Sequence, residues 1–148
     1  MSTTKIKSWR VIAGVAAAAA VTSVSLVAFA TTSEAGGVTC RGQAATIVGT
    51  AERDVINGTP SRDVIASLGG NDDIDAGGGN DLVCGGSGAE EIDGDAGADR
   101  LLGQTGNDEI DGQAGNDFLN GGLGRDDLDG ELGTDTCING ENVDDCEN

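Results

Sequence analysis

The stretch GGNDDIDAGGGNDLV, Gly69 to Val83, holds five glycines and four aspartates, and before its final Val83 only Ile74 and Leu82 as branched aliphatic side chains. Alone it should not fold. Glycine loses the most entropy on ordering, and clustered carboxylates repel one another. The reading turns on the fact that the stretch recurs.

Counted in nines from Cys40, twelve units fill residues 40–147, among them SLGGNDDID, AGGGNDLVC, GGSGAEEID, GDAGADRLL, GQTGNDEID and GQAGNDFLN. Position eight is apolar throughout: Ile47, Ile56, Ile65, Ile74, Val83, Ile92, Leu101, Ile110, Leu119, Leu128, Cys137 and Cys146. Position six is Ala45, then Asp54, Asp63, Asp72, Asp81, Glu90, Asp99, Asp108, Asp117, Asp126, Asp135 and Asp144. Position four is glycine in eight consecutive units: Gly70, Gly79, Gly88, Gly97, Gly106, Gly115, Gly124 and Gly133. Each unit therefore reads as a glycine turn, an acid and a short strand. Alternation along that strand sends position eight to one face and its neighbours to the other. Low hydrophobicity with high net charge normally predicts disorder, but a disordered chain needs no such phasing.

The first thirty residues are of another kind. MSTTKIKSWR is basic, VIAGVAAAAAVTSVSLVAFA is apolar, and it closes on Ala28-Phe29-Ala30. This predicts a secretory signal peptide over 1–30, a short linker over 31–39 and the repeat region over 40–148. An uncleaved membrane anchor is the alternative. Either way the remainder lies outside the cytoplasm. Residues 31–148 carry 26 acids against five arginines, a net charge of 5 − 26 = −21. That excludes nucleic acid and anionic lipid as default partners and invites cations. The chain has no histidine, which removes the commonest general base.

The pattern resembles the G-G-x-G-x-D-x-U-x nonapeptide of the repeats-in-toxin family, the secreted haemolysin-type calcium-binding proteins of bacteria. The likeness is strongest from Ser67 to Ile138 and weaker in the first three units, where position four is Gln43, Glu52 and Ser61. It implies an all-β fold, a right-handed parallel β-roll with two nonapeptides per turn, and calcium as the bound cation. Units n and n+2 then stack at about 4.8 Å, which brings position-six carboxylates close together. Calcium takes six to eight oxygens and mixes carboxylates with backbone carbonyls. The implied ligands are the acids from Asp54 to Asp135 and the carbonyls of the position-four glycines. Units four to eleven would frame about six sites. So thin a core makes metal binding a source of folding energy.

Other readings weigh less. Asp73, Asp75 and Gly77 start like an EF-hand loop, but the spacing then fails and no helical pattern flanks it. Asn57-Gly58-Thr59 is a sequon followed by Pro60, better read as a turn. Glu90 and Glu91 point to opposite faces of a strand and make no catalytic pair. With only nine residues between Ala30 and Cys40, the expectation is a calcium-binding module and no enzyme. The alternatives are a calcium-rigidified structural or adhesive surface protein, or an accessory of a separately encoded secreted enzyme. The four cysteines suit disulfides in an oxidising compartment rather than zinc. The expected pairs are Cys40–Cys84 and Cys137–Cys146. The first requires the N-terminal segment to fold back. The second requires the roll to pinch, because facing sheets pack about 10 Å apart.

Overall fold

A computed structural model describes residues 37–147 and the backbone of Ser25–Leu26. The described residues form no α-helix. They form a parallel β-roll of about five turns. One sheet stacks Asp54–Thr59, Asp73–Gly77, Glu91–Asp93, Glu109–Asp111, Asp127–Asp129 and Asn142–Asp144, with Ser25–Leu26 at its N-terminal edge. The facing sheet stacks Ile47–Val48, Val64–Ala66, Leu82–Gly88, Arg100–Gly106, Phe118–Gly124 and Thr136–Ile138. Partners lie 18 residues apart, as in Ile74↔Ile92 and Leu101↔Leu119. That is two nonapeptides per turn. Position eight from Ile47 to Cys137 forms the inner core, joined by Ala76, with Cys146 packed against it.

The two outer faces differ. In the first sheet, after Val55 and Asn57, positions seven and nine are Asp73, Asp75, Glu91, Asp93, Glu109, Asp111, Asp127 and Asp129. On the second sheet the same positions supply Val64, Leu82, Cys84 and Leu102, which form a second apolar cluster with Cys40, and Ala45 and Phe118 pack against it. The Arg100 guanidinium lies 4.8 Å from the Phe118 ring centre. A hairpin covers part of this face. Thr39–Cys40 pairs antiparallel with Gln43–Ala44, and Arg41 and Gly42 between them take positive φ, as a type I′ turn demands. The hairpin seats Cys40 on the sheet, where it bonds Cys84 at a Cα separation of 5.7 Å. The expected fold-back is this hairpin.

Two expectations shift. Thr39, placed in the linker, already belongs to the hairpin, and Ser25–Leu26 pairs with Asp54 and Val55. The rest of the 1–30 segment lies outside the described residues. The last unit breaks register. Asp127 pairs with Asn142, Leu128 with Val143 and Asp129 with Asp144, a spacing of 15 where earlier turns use 18. By strand pairing Val143 stands opposite Leu128, and Glu141 rather than Asp144 caps Asp126, yet Val143 is 39 % exposed and it is Cys146 that packs against the inner core. The shortened unit carries the chain back across the end of the core. Cys146 thereby reaches Cys137 at a Cα separation of 5.9 Å, and no pinching of the sheets is needed.

Candidate metal centre

The position-six acids are buried within the roll. All ten from Asp54 to Asp135 are buried, none more than 6 % exposed. They form two ladders. Asp54, Asp72, Glu90, Asp108 and Asp126 rise along one edge, and Asp63, Asp81, Asp99, Asp117 and Asp135 along the other. The rungs are backbone N–H to carboxylate bonds reaching 18 residues forward. In the second ladder Asp63, Asp81, Asp99 and Asp117 each donate to Oδ1 of the next acid, at 2.6 to 2.8 Å. In the first, Asp54 donates to Asp72 at 2.9 Å, Glu90 to Asp108 at 3.0 Å and Asp108 to Asp126 at 3.0 Å. Glutamates close both C-terminal ends. Asp126 N–H donates to Glu141 Oε2 and Asp135 N–H to Glu147 Oε2, each at 2.7 Å.

Each ladder bond uses one carboxylate oxygen. The second finds no hydrogen-bond partner among the described residues in Asp72, Asp81, Asp99, Asp108, Asp117, Asp126 and Asp135. Glu90 leaves both unpartnered, and Asp54 leaves its Oδ1. Unpaired buried oxygens of this kind are costly. Burial raises the carboxyl affinity for protons in six of the ladder acids. Desolvation pushes Asp99 up to about 6 and, with the charge of Asp108, Glu90 up to about 8. Asp72, Asp81, Asp108 and Asp117 move the same way, with burial first among the causes.

Glycine is required beside these carboxylates by close approach. At Gly106, φ is +153° and an added Cβ would fall on the carbonyl oxygen of Gly88, one turn below, and 3.0 Å from Asp108 Oδ1. Position-four glycines thus stack carbonyl against Cα, next to the acids. No three acid or cysteine groups converge on one point among the described residues. A cation held here would combine a carboxylate with backbone carbonyls. Hard oxygen donors of mixed type suit calcium, and the orphaned oxygens leave acceptors for it. The residues present fit the group.

Three features escaped the nine-residue reading. Asn71, Asn80, Asn107 and Asn116, at position five, accept the N–H of Ala89, Ala98, Arg125 and Thr134 at 3.0 to 3.2 Å. Their recurrence one residue before the acid was visible. The Glu141 and Glu147 caps were hidden by the change of register. Thr50 and Thr59 close the N-terminal ends of the ladders, and GTAERD and GTPSRD carried that signal.

Glu90 breaks its ladder. Its longer side chain takes no bond from Asp72 N–H, so that rung is missing. Glu90→Asp should restore it and raise stability in saturating calcium by about 1–2 kcal/mol. Denaturant unfolding checks this, and a loss of stability would show that the extra methylene is needed.

Asp111, on the outer acidic face, is half-buried. Burial and the stacked charges of Asp93 and Asp129 raise it to about 6.

No curated protein and no solved structure matches the chain. The sequence model described as RTX calcium-binding nonapeptide repeat (4 copies) matches residues 48–83, 85–119 and 102–137. Those spans cover more than half of the 148 residues and contain both carboxylate ladders. With the repeat, the parallel roll and the buried acids in agreement, the chain belongs to the RTX family of calcium-binding nonapeptide repeat proteins.

Proposed function

We propose that this is an exported, non-catalytic calcium-binding protein whose roll is completed by calcium. The observation that carries the reading is the row of buried carboxylate oxygens without partners in Asp72, Asp81, Glu90, Asp99, Asp108, Asp117, Asp126 and Asp135. These side chains, with position-four glycine carbonyls beside them, are the ligands we assign. Bound calcium supplies the positive charge that the ladders lack. The chain's own part is to hold one oxygen of each acid on a backbone N–H and to keep side chains out of the turns through glycine. Export is supported by the basic and apolar N-terminal sequence and by the two disulfides.

The test is circular dichroism of residues 31–148 against calcium. In excess chelator at pH 7.5 the chain should be largely unfolded, and β-structure should appear cooperatively at about 10⁻⁴–10⁻³ M calcium. Magnesium should substitute poorly, because it demands octahedral geometry and keeps its waters. Full β-structure in chelator at that pH would sink the reading. The pH dependence has a defined sign. Asp72, Asp81, Glu90, Asp99, Asp108 and Asp117 bind protons more tightly folded than unfolded, so the metal-free roll is favoured at low pH. It loses that support as pH rises from the ordinary carboxyl values, 3.8 for Asp99 and 4.5 for Glu90, through about 6 and about 8. Protons also compete with calcium, so the calcium midpoint should rise as pH falls.

A further inference from the structure

The N-terminal ends of the two ladders are built differently from everything above them. Asp54 Oδ2 accepts the Thr50 N–H at 2.6 Å and the Thr50 hydroxyl at 2.9 Å. Asp63 Oδ2 accepts the Thr59 N–H at 2.8 Å and the Thr59 hydroxyl at 2.7 Å. The other oxygen of Asp63 accepts the Thr46 hydroxyl at 3.1 Å. Asp63 thus has partners on both oxygens, unlike the acids above it. Turn geometry differs too. In units four to eleven, position two is Leu68, Gly77, Gly86, Asp95, Gln104, Gln113, Gly122 and Glu131, and every one takes positive φ. Thr50 and Thr59 hold that position in units two and three and do not. A β-branched residue resists positive φ, so threonine selects the turn that aims its own N–H and hydroxyl at the carboxylate. Charge follows the same division. Residues 40–66 contain three acids and three arginines, whereas residues 67–147 contain 22 acids and two arginines.

We propose that Thr59, with Thr46, takes the place of a cation at the Asp63 end of its ladder while Thr50 holds one oxygen of Asp54, so that residues 46–66 order without calcium and present an edge on which the calcium-dependent turns assemble. Asp63, with both oxygens partnered, is then a structural anchor rather than a calcium ligand, and calcium sites in its ladder begin at Asp81; Asp54 keeps a buried Oδ1 without a partner and stays open to a cation. The Cys40–Cys84 disulfide ties this segment to the first of the later turns. The ordering of residues 46–66 does not depend on the calcium reading; the assembly of the later turns does.

Hydrogen exchange of residues 31–148 with disulfides intact, in excess chelator and then in calcium, tests it. In chelator the Thr46, Gly49 and Thr59 amides, which bond Val64 O, Ala66 O and Asp63 Oδ2, should exchange at least about tenfold more slowly than the Leu101, Ile110 and Leu119 amides, the loss of one charge-assisted bond being worth about that factor. Thr59→Val keeps the β-branch and loses the hydroxyl. It should remove this difference in chelator while the later amides still become protected in calcium, which shows that the variant folds. Thr59→Ser should retain the difference. Uniform exchange of the unsubstituted chain in chelator, or unchanged protection in Thr59→Val, would overturn the proposal. Slow exchange at residues 46–66 in chelator with no calcium-induced protection elsewhere would instead refute calcium binding and leave the threonine caps standing.

Discussion

Ile110→Asp should abolish the roll at every calcium concentration. Ile110 is fully buried and sits between Ile92 and Leu128 in the first sheet. An aspartate there would place a charge in the inner apolar column, where no cation and no donor among the described residues faces it. Leaving a buried charge unpaired costs several kcal/mol at least. The inner core is one residue wide per unit, so no neighbouring side chain can repack over the gap. Added calcium cannot compensate, because the ladders lie along the edges and the new charge lies between them. Circular dichroism at saturating calcium checks this. A calcium-induced signal like that of the unsubstituted chain would mean that position eight is not the core.

Asp108→Ala and Asp117→Ala should each raise the calcium midpoint by about tenfold or more, and Asp111→Ala should not. Asp108 and Asp117 occupy different ladders, and each holds the N–H of the acid below, Glu90 and Asp99. Alanine removes an orphaned oxygen available to a cation and strands a buried N–H, a charge-assisted bond worth about 1.5–3 kcal/mol. Asp111 stacks between Asp93 and Asp129 on the outer acidic face. Its removal relieves repulsion and takes nothing from a ladder. Calcium titrations of the three variants decide the matter, and equal midpoints would refute the assignment of the inner acids.

How much was legible follows from what a nine-residue count can see. It finds features shared by most or all units. Ile74, Ile92 and Ile110 at position eight, Asp72 to Asp135 at position six and Gly70 to Gly133 at position four are such features, and the structure places them as core, ladder and turn. The count blurs anything that alternates between odd and even units. Val64, Leu82 and Leu102 fall on one sheet, and Asp73, Glu91 and Glu109 on the other, because the structural repeat is 18 residues. Averaging the two classes hid an apolar outer face and an acidic one. The last unit misled for another reason. Cys146 is apolar, stands nine residues after Cys137 and does pack against the core, yet backbone pairing sets the exposed Val143, not Cys146, opposite Leu128. Sequence spacing alone cannot register a three-residue contraction when both candidates are apolar.

That contraction bears on self-association. A parallel roll ends in strands whose unpaired backbone groups can template another chain, and repeated addition of this kind makes fibres. An incoming segment continues the stack only if it meets a full 18-residue step with acids and glycines in phase. The final step here has 15, and the Cys137–Cys146 bridge draws the chain across the face where the next layer would sit. Capping repeats in solenoids end the array in this manner. The C-terminal end is thereby a poor seed for polymerisation.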